Sequence, residues 1–357
     1  MQKVIPNDKK SQKKKMKAWK KNLLIIFGIL FLIVGSAFGY FAYKANKSIN
    51  NITGENKSIF DTAKSLLVGS ANKELKSDNG RTNIVLLGMR GENDPNGGLL
   101  SDSIMIISIQ KESKKIAMVS IPRDLRVQVP NTKGYNKLNA AHAIGSQQKP
   151  PQGLQYTMKV LEEVTGMPMH YGASVDFVAF KGIINALDGI TVDAASDFYD
   201  PNYEGGIRVK KGLNELNSDR ALKYVWARLT TNDFDRSRRQ REVMTAIKDK
   251  AEKTGALKNP IFMINLLDNL GSHVKTTMTV EELKLALETI NTLDMNNMIQ
   301  KGYDTAADGP FTSQNDPVIG YVIIPKGGNF NAFQKDIQNI FPAENSATSN
   351  TDNVKKP

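Results

Sequence analysis

NIVLLG (83–88) and SIMIISI (103–109) are the two apolar runs that decide the fold. Each is short, uncharged and bounded by polar or glycine-rich sequence, which marks a buried strand rather than a helix. IAMVSI (116–121) follows the second run after the turn KESKK, so the two read as strand–turn–strand. Pro122 stops the third strand and leaves Arg123 and Asp124 at its end. Outward from this unit, helical signals recur around 137–146 and 155–165. VDFVAFKGIINAL (175–187) reads as a strand end running into a helix, and Asp188-Gly189 turns the chain into ITVDA. NSDRALKYVWAR (217–228) predicts a helix capped by Asn217 or Ser218, and a second helix is expected from near Asp233 to about Lys253. Shorter helices are expected around 259–268 and 280–294. GYVIIPKGGNFNAFQKDIQNIF (320–341) closes the fold as a strand plus a helix. Strands mixed with helices argue for the α/β class, a central mixed β-sheet covered by helices on both faces.

The 357-residue chain has no cysteine, which excludes disulfides, thiolate metal sites and a cysteine nucleophile. Its three histidines (His142, His170 and His273) lack metal-ligand spacing. The net charge is +12, and residues 1–21 hold +8 of it as nine lysines against Asp8. A basic tail alone reads as a nucleic-acid arm. Here it precedes 22 uncharged residues, NLLIIFGILFLIVGSAFGYFAY (22–43), long enough to span a bilayer core of ~30 Å as a helix. The alternative, a cleaved signal peptide, has a shorter apolar run. The flanking lysines place 1–21 in the cytoplasm and the rest of the chain outside the cell. The expected organisation is a cytoplasmic basic tail (1–21), a single transmembrane anchor (22–43), a stalk or packing helix (44–80), an extracellular domain (81–342) and a disordered tail (343–357). Chemistry there must use a substrate delivered across or within the membrane.

DFDRSRRQ (233–240) is where chemistry is concentrated. Five of the chain's 11 arginines (Arg228, Arg236, Arg238, Arg239 and Arg241) fall within 14 residues, although lysine supplies most of its positive charge. On a helix, Asp233, Arg236 and Gln240 share one stripe, with Arg239 beside Arg236. Asp233 sits at the N-terminal end, where the helix dipole favours an anion. Arginine outperforms lysine where a phosphate is held by two parallel hydrogen bonds, and an acid among arginines can bind a metal or take a proton from a hydroxyl. A salt-bridged surface helix is the plain alternative. Nucleic-acid binding is excluded as a partner class, because interleaved aromatics for base stacking are missing and the segment is expected outside the cell.

The chain resembles the LytR-CpsA-Psr family of membrane-anchored cell-wall glycopolymer ligases. The resemblance covers roughly residues 81–250 and is carried by NIVLLG (83–88), SDSIM (101–105), SIPRD (120–124), KLNAAHA (137–143), LDGITV (187–192) and ALKYVWAR followed by DFDRSRRQ (221–240). It implies an α-β-α fold with a deep apolar pocket for a polyprenyl chain, and a pyrophosphate at the mouth held by arginines with magnesium, or manganese in its place. The implied reaction moves a glycan phosphate from a polyprenyl-pyrophosphate carrier to a hydroxyl of peptidoglycan, as in attachment of teichoic acid, capsule or wall polysaccharide. By the same resemblance Asp102 is the metal-binding acid, and Arg123, Arg228, Arg236, Arg239, Gln240 and Lys137 hold the diphosphate. Asp233, Arg236 and Arg228 form the catalytic set, with Asp233 as base. Lys137 and Asn139 are the weaker candidates.

The chain departs from the family pattern in three places. Trp226 and Leu100 stand where arginines are usual, and Arg90 stands where an acid that helps hold the metal is usual. Glu92 or Asp94 could replace that acid, and Arg90 could replace the donor lost at Trp226. These changes keep two further readings open: a non-catalytic binder or sensor of the lipid-linked glycan, and a pyrophosphatase using water as acceptor.

Overall fold

The computed structural model describes Lys47 and residues 74–341, apart from 203–204, 228, 257–261, 263–265, 267–268, 291 and 295–296. The expected anchor (22–43), most of the stalk, Arg228 and the tail lie outside the described residues. Among the described residues no helix is long and apolar enough to cross a membrane.

In chain order the first elements are β1 (Arg81–Gly88), β2 (Ser103–Gln110), β3 (Lys115–Ser120), β4 (Arg126–Gln128), β5 (Tyr135–Lys137), α1 (Ala141–Ser146), α2 (Gly153–Thr165), β6 (Tyr171–Val175) and α3 (Phe177–Ala186). Then come β7 (Ile190–Ala194), β8 (Phe198–Asp200), β9 (Ile207–Val209), β10 (Gly212–Leu216), α4 (Ser218–Trp226) and α5 (Asp233–Thr254). The last are β11 (Val274–Thr276), α6 (Val280–Ile290), β12 (Ile299–Gly302), β13 (Phe311–Asp316), β14 (Gly320–Pro325) and α7 (Asn331–Gln338).

Six strands form a mixed sheet in the order β11-β6-β1-β2-β3-β12. The three apolar runs are its centre: β1 and β2 pair antiparallel, as do β2 and β3. β6 adds parallel to β1, and β12 adds parallel to β3. The edge strands β11 and β12 come from short segments without apolar alternation, and sequence pattern did not mark them as strands.

Alternation along the central strands gives the sheet two apolar faces. Val85, Leu87, Ile104 and Ile106 pack against Leu161 and Val164 of α2 and Phe333 and Ile337 of α7. On the other face Leu86 and Met105 point towards Phe180 of α3, Val225 of α4 and Val243 of α5. Helices therefore cover both faces. The helices of the second face start at side-chain caps. Asp176 accepts from Ala179 N, Asn217 from Arg220 N and Asn232 from Asp235 N, at 2.9, 3.0 and 2.8 Å. α5 ends at Gly255, whose φ of 66° is the left-handed conformation that glycine adopts without strain.

Burial holds the imidazole of His142 in α1 below its ordinary range, against an opposing backbone hydrogen bond with Leu99. Burial does the same to His170, whose Nδ1 accepts from Asn83 N at 3.0 Å. Both rings are therefore neutral in the folded chain where the unfolded chain takes up protons, so stability is complete above 6.5 and falls as pH drops below it. The melting temperature is expected to decline as pH falls from about 6.5 to 5.5, before most carboxylates titrate, and His142→Gln should flatten part of that decline. A wild-type melting temperature constant across this window would contradict the assignment.

Candidate functional site

The site is built at one end of the sheet, where β1 and β3 end and β2 begins. β1 delivers Arg90 just past its end, the residue before β2 is Asp102, and Arg123 and Asp124 follow β3 after Ile121 and Pro122. Two backbone hydrogen bonds of Asn139 tie these loops together: its N donates to Arg123 O and its O accepts from Ser101 N, each at 3.0 Å. The β1–β2 loop closes tightly on itself. A Cβ at Gly98 would lie 1.9 Å from the Gly91 carbonyl, so only glycine fits there.

Arg123 is the hub. Its Nη1 donates to Asp102 Oδ1, and its Nε lies 3.3 Å from Asp233 Oδ1 and 3.4 Å from Asp124 Oδ2. Burial disfavours the Arg123 charge, but Asp233, Asp124 and Asp102 outweigh it and hold the guanidinium above its ordinary range. It is a permanent cation. Arg236, 2% exposed, pairs through Nη2 with Asp233 Oδ1 and donates to Asp102 O at 3.1 Å. Lys137 joins through Asp124, at 3.2 Å from its Oδ1. The structure thus gathers Asp102, Arg123, Asp233, Arg236 and, at the edge, Lys137.

α5 sorts its arginines by face. Of Arg236, Arg238, Arg239 and Arg241, only Arg236 borders the cavity described below. Arg238 turns to Glu242 at 2.5 Å, and Arg241 donates to Ser120 Oγ at 2.8 Å. The expectation that Arg239 binds diphosphate is corrected. Its side chain is fully buried and donates to Tyr224 O, to Ala227 O at 2.6 Å and to Thr231 Oγ1 at 3.1 Å. The guanidinium also lies 4.0 Å from the Phe198 ring centroid. Burial lowers its pKa to about 10. Arg239 therefore braces the turn between α4 and α5. Helical spacing could place it beside Arg236 but could not tell that this side points inward.

An apolar cavity of ≈ 260 Å³ opens beside the cluster. Leu86, Met105, Phe180, Val225, Val243 and Ile247 are among its walls, and Asp102, Trp226, Arg236 and Gln240 supply its polar and aromatic rim. Gln240 also donates to Val225 O at 3.3 Å. The two departures noted at Arg90 and Trp226 meet at this rim. The Arg90 guanidinium lies 4.8 Å from the Trp226 ring centroid, and its Nε is 3.8 Å from Asp102 Oδ2. Phe177 packs edge-on against the same indole at 5.6 Å. A cation is therefore present at this rim, carried on β1's loop and set on an aromatic face. Sequence reading raised Arg90 as a replacement for the missing donor but had no signal for the stacking.

Among the described residues no three His, Asp or Glu side chains converge to form a metal site. Asp102 alone would suit an ion that draws its other ligands from phosphate oxygens and water, which is how magnesium usually binds. Of the acids suggested as a second ligand, Asp94 pairs with Arg90 at 3.8 Å and Glu92 is exposed.

Residues 36–312 match the model of the LytR_cpsA_psr family. The chain belongs to that family. A LytR_cpsA_psr relative, the polyisoprenyl-teichoic acid–peptidoglycan teichoic acid transferase TagT of Bacillus subtilis, is 27% identical over 314 residues, covering 85% of this chain and 92% of TagT. The crystal structure of B. subtilis TagV superposes with a TM-score of 0.57 at 25% identity, over 74% of this chain and 98% of TagV. TagT with bound octaprenyl pyrophosphate lipid shares the fold, with a TM-score of 0.54 at 23% identity over 76% of this chain and 95% of that one.

Proposed function

We propose that this LytR_cpsA_psr protein is a membrane-anchored phosphotransferase that moves a glycopolymer phosphate from a polyprenyl-pyrophosphate carrier to a hydroxyl of peptidoglycan. The observation that carries this reading is the apolar cavity with Asp102 and Arg236 on its rim and Arg123 and Asp233 paired to them. An isoprenoid chain needs dry, unbranched space, and a diphosphate needs fixed guanidinium donors at the end of that space. TagT, whose name gives the same reaction, supports the choice of substrate.

Arg123, Arg236, Arg90 and Arg228 are assigned to the diphosphate, with Gln240 on the cavity wall beside it. Lys137 acts through Asp124. As the phosphates enter, they compete with Asp233 and Asp102 for Arg123 and Arg236, and Asp233 is released to accept a proton. The acceptor oxygen then bonds to the phosphorus that carries the glycan, the bond from that phosphorus to the bridging oxygen breaks, and polyprenyl phosphate leaves. Asp233 takes the hydroxyl proton, and the arginines hold the charge that develops on the leaving phosphate. Asp102 would hold a Mg2+ (or Mn2+) ion, which supplies further neutralisation of phosphate oxygens. The Lys-rich tail and the uncharged run 22–43 support a single-pass anchor with an extracellular domain.

A second reading, a binder that holds the carrier without turnover, is favoured by one observation: Arg90 faces the carboxylate of Asp102. The test is the full chain in detergent with a short polyprenyl-pyrophosphate glycan, Mg2+ and peptidoglycan fragments, read by mass spectrometry. Phosphoglycan joined to the fragments, lost with a chelator and restored by Mg2+, is the expected result. Lipid retained with no product in any divalent metal would overturn the transferase and leave the binder.

A further inference from the structure

A second opening, ≈ 410 Å³, borders the same charged cluster. Asp124, Asp233, Thr231, Asn232, Phe234 and Tyr321 are among its lining residues. It shares no lining residue with the apolar cavity. The cavity reaches the cluster through Asp102 and Arg236, the groove reaches it through Asp124 and Asp233, and Arg123 joins both sides. Ligands in the two spaces would therefore meet across one ion-pair chain.

The groove's chemistry is unlike the cavity's. Among the described residues its lining has two carboxylates and no lysine or arginine, so it offers a phosphate fewer donors than the arginine-bearing rim of the cavity. It is not a hydrocarbon site either, because hydroxyl, amide and carboxylate groups surround its aromatic rings. Tyr321 is 49% exposed there, which leaves one face of its ring open to a ligand. An aromatic face ringed by hydrogen-bonding groups suits a polyhydroxylated ring, whose C–H face stacks while its hydroxyls reach the polar rim.

The wall that carries Tyr321 is held rigidly. Ile323 N donates to Asp124 O at 2.9 Å, and Arg126 Nε meets Asp316 Oδ2 at 3.0 Å, so the β13–β14 hairpin is pinned to the loop after β3 and to β4. Two residues apart on β14, Tyr321 and Ile323 face the same side and both line the groove. The family match ends at residue 312, so β14 lies beyond it.

We propose that this groove is the acceptor subsite and that Tyr321 is the platform on which a saccharide ring stacks, presenting its hydroxyl to Asp233. The inference rests on the transferase reading for its chemistry: the acceptor O–H loses its proton to Asp233 as its oxygen bonds to phosphorus, and polyprenyl phosphate departs through the cavity side. It assigns choice of acceptor to a strand, β14, outside the family-matched segment.

Two measurements on the full chain in detergent test it. In the transfer assay, Tyr321→Ala is expected to raise the acceptor KM about tenfold without raising the donor KM, and Tyr321→Trp to restore it. Val318→Ala, at the exposed tip of the same hairpin, controls for disturbance of the hairpin itself. An acceptor KM unchanged in Tyr321→Ala, or a donor KM rising in step, would overturn the inference while the transferase reading stands. Separately, saturation-transfer NMR with a lipid-free peptidoglycan tetrasaccharide needs no turnover. Binding lost in Tyr321→Ala and regained in Tyr321→Trp supports the subsite even if transfer is never seen. No contact with the wild-type protein at millimolar tetrasaccharide overturns it.

Discussion

Asp233→Asn is expected to lower glycan transfer by about 100- to 10,000-fold, the usual worth of a positioned general base. The substitution keeps shape and leaves an oxygen for Arg236 and Arg123, the two groups that Asp233 meets in the resting site. Folding and capture of the lipid should therefore survive, and binding of polyprenyl pyrophosphate should stay within a few-fold of wild type. The contrast between rate and binding carries the argument. Loss of both would make Asp233 a brace for the arginines, and retention of transfer would remove it from the reaction. The position suits the role because Asp233 borders the open groove while its partner Arg236 borders the lipid cavity.

Arg239→Met should give the largest loss of stability and little change in chemistry. The side chain is buried with its donors spent on Tyr224 O, Ala227 O and Thr231 Oγ1. Methionine fills similar space but takes away the donors that Arg239 gives to two buried carbonyls. The cost is about 2–4 kcal/mol. For a domain of this size that lowers the melting temperature by about 5–15 °C. The transfer rate per folded molecule should remain near wild type below the transition. A variant that melts normally but loses transfer would return Arg239 to the diphosphate site. Arg236, three residues earlier on the same helix, does border the cavity. Neighbouring arginines of one motif thus do opposite work, one at the rim and one as an internal brace.

How far the sequence could be read depended on the range of the interactions. β1, β2 and β3 were legible because each carries its own apolar pattern, and α5 was legible because its cap, its stripe and the glycine at its end are local signals. β11 and β12 were not, since each is three or four residues long and becomes a strand only by pairing with β6 or β3. The charged residues were legible as types. Asp102, Arg123 and Asp233 stood out in their motifs, but that one guanidinium meets all three acids of the cluster was not visible.

By itself, the sequence determined the α/β class, the residue types gathered for phosphate chemistry and the two unusual positions at Arg90 and Trp226. The first two follow from neighbours along the chain, and Arg90 and Trp226 stand out only against the pattern of the family the chain resembles. Tertiary structure decided the rest: that Arg239 turns inward, that Arg90 settles on Trp226, and that a hairpin some two hundred residues downstream of Asp124 forms the groove beside Asp233. Those outcomes depend on contacts between segments far apart in sequence, and on which side of a helix faces the sheet. No local pattern encodes either, because burial and pairing are properties of the packed chain.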